Sequence, residues 1–437
     1  MENRVGMAVN SRSKRHLYRL SSLCDTRLQS GAITRLHVIK RGTIVRRSTD
    51  RIIVSHAGTL PRPDELQALF TGGPATSAEF EKELPRAIKD VVKQQADIGI
   101  DVVNDGEFSK RGGFLGYVRE RMSGFEARPD LAGQHRDEGV FGRDRRAFPG
   151  FYAAGLGMFN FGNQQNISPV AGGFDPGPFV AEGPLKYIGH ENVAADIARL
   201  KAACEGLDVE PYLPAVAPGT IEHWLWRGEN FKTDEELLFA VADVMHEEYK
   251  AITDAGVVVQ IDDPDMPDAW QMYPDMTVPE YRKYADLRAE AMNHALRGLP
   301  ESLIRFHVCW GSQHGPHRDD IPLRDIIDII FKVTAECFSI EASNPRHEHE
   351  WRVFEEFKLP EGKSLMPGVV GHSSDVVEHP ELVAERLVRY ANLIGRENVI
   401  AGTDCGVGSR VGHGEIAWAK LEDMAKGAAI ATKQLWK

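Results

Sequence analysis

The residues best suited to chemistry lie in one short run, Arg305-Phe306-His307-Val308-Cys309. If this run is a β-strand, alternate side chains leave the same face, so the imidazole of His307 and the thiol of Cys309 point in one direction. Imidazole and thiolate are two of the ligand types that bind zinc in proteins. The run therefore predicts part of a zinc site at the end of a strand, and other segments must supply the remaining ligands.

Two other residues follow predicted strands and complete such a set. Glu341 ends the run Cys337-Phe338-Ser339-Ile340-Glu341, and Cys405 lies just after an apolar run at 398–402. One imidazole, two thiolates and one carboxylate suit a zinc ion. Each residue taken alone has an ordinary structural explanation, such as a packed strand end or a small core side chain. Their joint occurrence after three predicted strands favours a metal site, provided that the fold brings those strand ends together.

The elements that must position these residues alternate regularly along the chain. Apolar runs suited to strands begin near residues 52, 101, 210, 257, 303, 337, 365 and 398, with helical patterns between most of them. This alternation predicts an α/β protein with a parallel sheet, and eight such strands predict a single closed (β/α)8 TIM barrel. The alternative is an open doubly wound sheet, although no glycine-rich phosphate loop follows the first strand.

Two segments fall outside the alternation. Residues 1–50 contain eleven Lys and Arg against three Asp and Glu, which favours a basic, disordered extension or a transit peptide outside the catalytic barrel at 51–437. Residues 123–190, after the second strand, form a long insertion rich in glycine, proline and aromatic residues, with a short hairpin strand near 185–189. A long connection of this kind is typical of a lid or a binding loop.

The overall composition excludes several classes of partner. A net charge of −12 argues against nucleic acid as a partner, and no apolar run reaches the ~20 residues that a membrane helix requires. The five cysteines are widely spaced, which favours a reducing compartment over a disulfide framework. The sequence thus predicts a cytoplasmic protein that acts on small molecules, and it leaves the oligomeric state open, a homo-oligomer included.

Three motifs resemble the zinc motifs of a known family: His307-Val308-Cys309, Ser339-Ile340-Glu341-Ala342-Ser343 and Thr403-Asp404-Cys405-Gly406. By their order and spacing, the chain from about residue 51 onward resembles the C-terminal catalytic domain of cobalamin-independent methionine synthase. That family has short relatives, which include the epoxyalkane:coenzyme M transferases, and belongs to the barrel superfamily of uroporphyrinogen decarboxylase. The chain departs from the full-length enzymes because it has no room for their second, N-terminal barrel.

The resemblance also implies a substrate site and a catalytic residue. Segments 57–61, 105–107 and 260–264 are similar to family turns, and by that likeness Thr59, Glu107 and Asp262 hold homocysteine, the two acids taking its ammonium group. Segment 367–373 resembles the segment that bears the catalytic histidine of the family, which makes His372 the expected general acid.

These observations predict a zinc-dependent S-methyltransferase. It would move a methyl group from a methylfolate-like or methylcorrinoid donor to a zinc-bound thiol, with homocysteine the expected acceptor. One alternative is alkylation of coenzyme M by an epoxide, for which the sulfonate needs cations; those near the predicted barrel mouth are Arg62, Lys110, Arg111 and Arg305. A second alternative is a zinc-binding barrel without catalysis.

Overall fold

The computed structural model describes residues 46–71, 77–110, 113–131, 134, 137–154, 178–311, 314–408 and 410–437. Its strands are, in chain order, β1 (Ile53–Val54), β2 (Val102–Val103), β3 (Met122–Ala127), β4 (Phe179–Tyr187), β5 (Glu210–Val216), β6 (Leu225–Arg227), β7 (Val258–Asp262), β8 (Ile304–Val308), β9 (Cys337–Ile340), β10 (Ser364–Val370) and β11 (Ile400–Thr403). Eight of them form one parallel sheet in the order β1-β11-β10-β9-β8-β7-β5-β2.

The sheet curls until its two edge strands meet. β1 pairs with β11 on one side, and on the other side the Asp101 backbone N–H at the start of β2 donates to the Val54 carbonyl at 2.9 Å. The Ser55 hydroxyl also donates to the Val102 carbonyl at 3.0 Å. These contacts close the ring, so the predicted (β/α)8 barrel and its eight strand positions are confirmed.

Helices cover the outside of the barrel. In chain order they are α1 (Asp64–Thr71), α2 (Ser77–Asp97), α3 (Gly113–Arg121), α4 (Gly142–Ala147), α5 (Pro149–Ala153), α6 (His190–Cys204), α7 (Pro218–Trp224), α8 (Asp234–Asp254), α9 (Asp265–Met272), α10 (Val278–Ala295), α11 (Ile327–Ile330), α12 (Val353–Glu356), α13 (Pro380–Ile394) and α14 (Gly414–Leu435). Within the described ranges, none of the helices is long and apolar enough to cross a membrane.

The alternation of side chains along each strand separates two apolar layers. Outward residues such as Phe306 and Phe338 are buried in the large core beneath the helices. Inward residues form a smaller cluster that includes Tyr212, Cys337 and Met366 and fills the interior of the barrel. The interior is therefore packed at one level, and polar inward residues are left for the carboxyl-terminal ends of the strands.

The folded chain begins before the predicted boundary at residue 51. Arg47 donates to Glu336 Oε1 at 2.9 Å and to Asn398 Oδ1 at 2.6 Å, and Ser48 donates to the Val399 carbonyl. These partners precede β9 and β11, so residues 46–50 are bound to the amino-terminal end of the barrel. The rest of the predicted extension, 1–45, lies outside the described residues.

The insertion after β2 carries its own small sheet. β3 pairs antiparallel with β4, which ends at the segment predicted to form a hairpin, and β6 adds a third strand. The hydroxyls of Tyr117 and Tyr187 both donate to the carboxylate of Glu248 in α8. Helix α4 packs on α9, since Arg143 stacks on Trp270 with 3.3 Å between the guanidinium carbon and the ring centroid. The insertion is thus anchored beside the ends of the barrel strands, and residues 155–177 of it lie outside the described residues.

Candidate active site

Three of the four predicted metal ligands meet at the carboxyl-terminal end of the barrel. The Sγ atoms of Cys309 and Cys405 are 3.9 Å apart, with Cys309 as the donor. A ring nitrogen of His307 and the two sulfurs all lie within 4.8 Å of one another. Because His307 Nδ1 is hydrogen-bonded to Ser339 Oγ at 2.9 Å, Nε2 is the nitrogen left to face the thiols.

This arrangement fits a zinc ion. Two sulfurs held at ~2.3 Å from a tetrahedral zinc lie roughly 3.8 Å apart, which agrees with the 3.9 Å between Cys309 and Cys405. The hydrogen bond from Cys309 lowers the pKa of the Cys405 thiol, and a further one from His307 adds to this effect. One thiolate is therefore favoured by the protein itself, and thiolate is the form that binds metal.

Glu341, the fourth predicted ligand, lies in a neighbouring cluster. One of its oxygens is within 4.8 Å of ligand atoms of His372 and Asp404, and the carboxylate accepts hydrogen bonds from Trp310 N at 2.8 Å and Asn344 Nδ2 at 3.1 Å. The hydrogen bond to Cys405 and then burial raise the pKa of Cys309, and the negative charge of Glu341 raises it further. The two clusters are therefore close, and coordination of a metal by Glu341 stays a prediction.

Sequence reasoning missed the contribution of Asp404. Its Oδ1 accepts hydrogen bonds from the backbone N–H groups of Ala342 and Ser343, both at 2.8 Å, and its Oδ2 accepts one from Ser343 Oγ at 2.7 Å. These bonds fasten the segment after Glu341 to the segment that carries Cys405. The Thr-Asp-Cys-Gly motif contains this aspartate, but no spacing rule connects a carboxylate to amides more than sixty residues away.

The predicted substrate residues also come together. Glu107 follows β2 with a positive φ of 59°, an uncommon and strained conformation for a residue with a side chain. Its Oε1 accepts a hydrogen bond from Thr59 Oγ1 at 3.1 Å. A β-carbon added to Gly58 would lie 2.6 Å from the same oxygen, so glycine at 58 is what allows the carboxylate to take this position.

Asp262 links the acid pair to the thiol cluster. It ends β7 and is paired in register with His307 of β8. Burial is the main cause that raises the pKa of Asp262 to about 7. The charge of His307 lowers this pKa, whereas the charges of Glu107 and Cys405 raise it. The acids and the thiols are therefore close to one another at the mouth of the barrel, and substrate binding by Thr59, Glu107 and Asp262 stays a prediction.

A lysine accompanies the two acids. Lys110 Nζ lies 3.8 Å from Glu107 Oε2 and donates to the carbonyl of Pro214 in β5. Arg62 donates to the backbone carbonyls of Glu107 and Lys110 at 3.1 and 3.2 Å. Both cations were predicted only as sulfonate ligands for the coenzyme M alternative, and Lys110 was not recognised as a neighbour of Glu107.

Arg305, another cation of that alternative, gives it no support. Arg305 lies inside the barrel, where it donates to Ser55 Oγ at 2.8 Å and stacks on Tyr212 with 4.0 Å to the ring centroid. It is engaged on the amino-terminal side of His307, within the packed interior. Arg111 lies outside the described residues.

His372 follows β10 and is almost fully buried, at 1% exposure. Neither of its ring nitrogens has a hydrogen-bond partner among the residues that the structure describes. A positive charge on His372 lowers the pKa of Cys405. It also lowers the pKa of Glu341, although burial of Glu341 raises that pKa by more. An imidazole that faces both clusters with free nitrogens is suited to transfer a proton.

A buried network of charges supports the segment after Cys309. Trp310 stacks on His347 with 4.1 Å between ring centroids. His347 is hydrogen-bonded to Glu350 Oε2 at 2.8 Å and to Asp320 Oδ2 at 3.1 Å, and Asp320 is also bonded to His317 at 2.8 Å. Since Trp310 N donates to Glu341, this network lies directly behind the metal candidates.

A closed parallel barrel with ionisable side chains gathered where its strands end defines an enzyme of the (β/α)8 class. Residues 215–430 match a family described as the catalytic domain of cobalamin-independent synthase. Over that region the chain is similar to the cobalamin-independent methionine synthase catalytic domains that its motifs predicted.

Relatives of known name agree with this placement. The chain is 24% identical to methionine synthase of Sulfolobus acidocaldarius over 87% of its own length and 92% of that protein. It is 22% identical to the 5-methyltetrahydropteroyltriglutamate–homocysteine methyltransferase of Vibrio vulnificus, of whose length it spans only 41%. The B12-independent methionine synthase of Shewanella sp. W3-18-1, solved with selenomethionine, shares the fold with a TM-score of 0.62 and 19% identity over 88% of this chain and 99% of that one.

Proposed function

We propose that this protein is a zinc-dependent thiol S-methyltransferase of the methionine-synthase type. Its acceptor is homocysteine, and its donor is a methylfolate-like or methylcorrinoid compound. The observation that carries the proposal is the pair of sulfurs, Cys309 and Cys405, 3.9 Å apart and facing a buried acid pair at the mouth of one barrel. The names of the Sulfolobus and Vibrio relatives support the same reaction class.

His307, Cys309 and Cys405 would hold the zinc ion, and Glu341 would be the fourth ligand. Zinc bound there favours the thiolate form of a substrate thiol, which makes the sulfur a nucleophile near neutral pH. In the structure, Trp310 and Asn344 donate hydrogen bonds to the Glu341 carboxylate.

The remaining residues orient the acceptor and complete the transfer. Glu107 and Asp262 would bind the ammonium group of the amino acid, and Thr59 would hold Glu107 in place. The reaction forms a sulfur–carbon bond and breaks the bond between the methyl group and its donor. If the donor is a methylfolate, the departing nitrogen gains an electron pair and needs a proton, which His372 would supply as general acid.

A matrix of substrates tests the proposal. Zinc-loaded protein is given homocysteine, coenzyme M or glutathione, each with methyltetrahydrofolate, methylcobalamin or epoxypropane, and products are identified by mass spectrometry. Methionine formed from homocysteine and a methyl donor is the expected result. Conversion of coenzyme M with the epoxide alone would replace the proposal by the alternative, and zinc binding without any product would favour a barrel without catalysis.

A further inference from the structure

A cation, Lys110, lies beside the acid pair of the active site, and the predicted homocysteine site gave this lysine no role. Lys110 is buried, with 7% of its side chain exposed, and its Nζ lies 3.8 Å from Glu107 Oε2. The ammonium also donates to the Pro214 carbonyl and lies 4.8 Å from the centroid of the Tyr117 ring. These contacts hold the charge in one place on the wall of the site.

The ammonium is bonded to the strand that lies between the strands of the two acids. β5 separates β2, after which Glu107 lies, from β7, which ends in Asp262. Pro214 of β5 is paired in register with Gln260 of β7, and Gln260 Nε2 donates to Asp262 Oδ1 at 2.7 Å. Lys110 is therefore bonded to the strand between those of the two acids. Its partner there, Pro214, is paired with Gln260, the residue that donates to Asp262.

This placement changes the charge that a ligand meets. Two buried carboxylates alone would attract any small cation. With Lys110 beside them, the site presents two carboxyl groups and one positive charge within a poorly solvated space, where an unmatched charge is costly. A ligand that carries an ammonium and a carboxylate brings a partner for the acids and a partner for the lysine.

We propose that Lys110 is a specificity-determining residue, which makes the site select a ligand with both an ammonium and a carboxylate, as in an α-amino acid, over a ligand with the ammonium alone. The inference rests on the proposed function, because it concerns the acceptor of that reaction. It names the charged groups that the acceptor must carry.

Binding of thioethers tests this without turnover. Methionine and 3-(methylthio)propylamine have the same chain and differ by the carboxylate. Their dissociation constants are measured by calorimetry on zinc-loaded wild type, Lys110→Met, Lys110→Gln and Lys110→Arg. Lys332→Met is the matched control, since Lys332 pairs with Asp286 at 2.6 Å on the surface with 51% of its side chain exposed.

We expect the wild type to prefer methionine and the preference to fall about tenfold or more in Lys110→Met, because a buried charge pair supplies selectivity of that size. Lys110→Gln should behave like Lys110→Met, which covers the case in which the methionine variant does not fold. Lys110→Arg should retain most of the preference, and Lys332→Met all of it.

Two outcomes overturn the inference, and they differ in what else they remove. An equal loss of affinity for both thioethers in the Lys110 variants would leave methionine as a ligand and the proposed function standing, but would reduce Lys110 to a structural role. A wild type that binds neither thioether would remove the proposed amino-acid acceptor, and the role of Lys110 with it.

Discussion

The side chains of Lys420 and Glu378 form a buried ion pair that ties the last helix to the loop after β10. Lys420 Nζ lies 2.9 Å from Glu378 Oε2, and the lysine side chain has no exposed surface. Glu378 Oε1 accepts a hydrogen bond from the Gly371 backbone N–H at 2.8 Å. The pair therefore fixes the segment on which His372 lies, and it does so from α14, on the outside of the barrel.

The first prediction concerns the stability that this pair provides. Lys420→Met leaves Glu378 buried without its cation, so the free energy of unfolding should fall by about 3–5 kcal/mol. Lys426→Met is the control on the same helix, because Lys426 is 54% exposed and its loss should cost at most ~1 kcal/mol. Urea denaturation measures both. Similar losses in the two variants would contradict the buried pair.

The second prediction concerns metal binding. Cys309→Ser and Cys405→Ser should each lose zinc from the purified protein, because serine oxygen is a poor replacement for thiolate at a zinc site. Cys204→Ser should retain it, since Cys204 lies at the end of α6 and is absent from the ligand group. Zinc per protein is measured by mass spectrometry of the metal. Stoichiometric zinc in both serine variants would exclude the assigned ligands.

The third prediction uses the contact between Gly58 and Glu107. Gly58→Ala places a β-carbon against Glu107 Oε1, so the carboxylate must move and affinity for methionine should drop. Gly298→Ala is a matched control: Gly298 also has a positive φ, of 73°, but a β-carbon there meets nothing within 4 Å. The backbone cost is roughly 1–2 kcal/mol at Gly298 and roughly 1–3 kcal/mol at Gly58, whose φ is 144°, and only Gly58→Ala should lose affinity. Equal affinity in the two would place Glu107 outside the substrate site.

The fourth prediction concerns Glu107 itself. Glu107→Gln keeps the shape of the side chain and removes its charge. Homocysteine should bind about 10- to 100-fold more weakly, since a hydrogen bond to a charged group contributes ~1.5–3 kcal/mol. The measurement is the dissociation constant on zinc-loaded protein. An unchanged value would favour an acceptor without an ammonium group.

The fifth prediction concerns pH. Burial lowers the pKa of His347, but hydrogen bonds with Asp320 and Glu350 outweigh it and raise the pKa to about 9 from 6.5. A raised pKa means that the stabilisation by His347 is fully present below pH 6.5 and disappears as the pH rises through 9. Against wild type, His347→Gln should therefore cost roughly 3 kcal/mol at pH 6 and much less at pH 10.

The lowered pKa of Asp320 gives the opposite dependence of stability on pH. Burial raises its pKa, whereas the hydrogen bonds from His317 and His347 lower it to about 2 from 3.8. Its stabilisation is present above pH 3.8 and is lost as the pH falls through 2.

Urea denaturation of wild type and His347→Gln between pH 5 and 10 checks the prediction for the histidine. A difference that does not change across this range would contradict a charged His347 in the network.

The local pattern of the sequence determined the strands and the ligand types. Periods of two residues placed His307 and Cys309 on one face, and all eight strands were found where apolar runs predicted them. Helices followed the predicted alternation less closely: between β8 and β9 the described residues contain only a 3-10 turn, Leu323–Asp325, and the four residues of α11. Pro322 precedes that turn, and Thr334 N is bonded to the Asn293 side chain instead of continuing a helix.

Only the tertiary structure decided which of these residues touch. Periodicity states the direction of a side chain, but the distance between side chains on different strands depends on barrel closure, strand register and rotamer. For that reason the sequence could name Cys309 and Cys405 but not their separation, and it could not place Glu341 beside His372. Two positions exist only once the sheet has closed. They are those of Asp404, which accepts hydrogen bonds from amides that follow another strand, and of Lys110, which is bonded to β5 in the strand order β7-β5-β2.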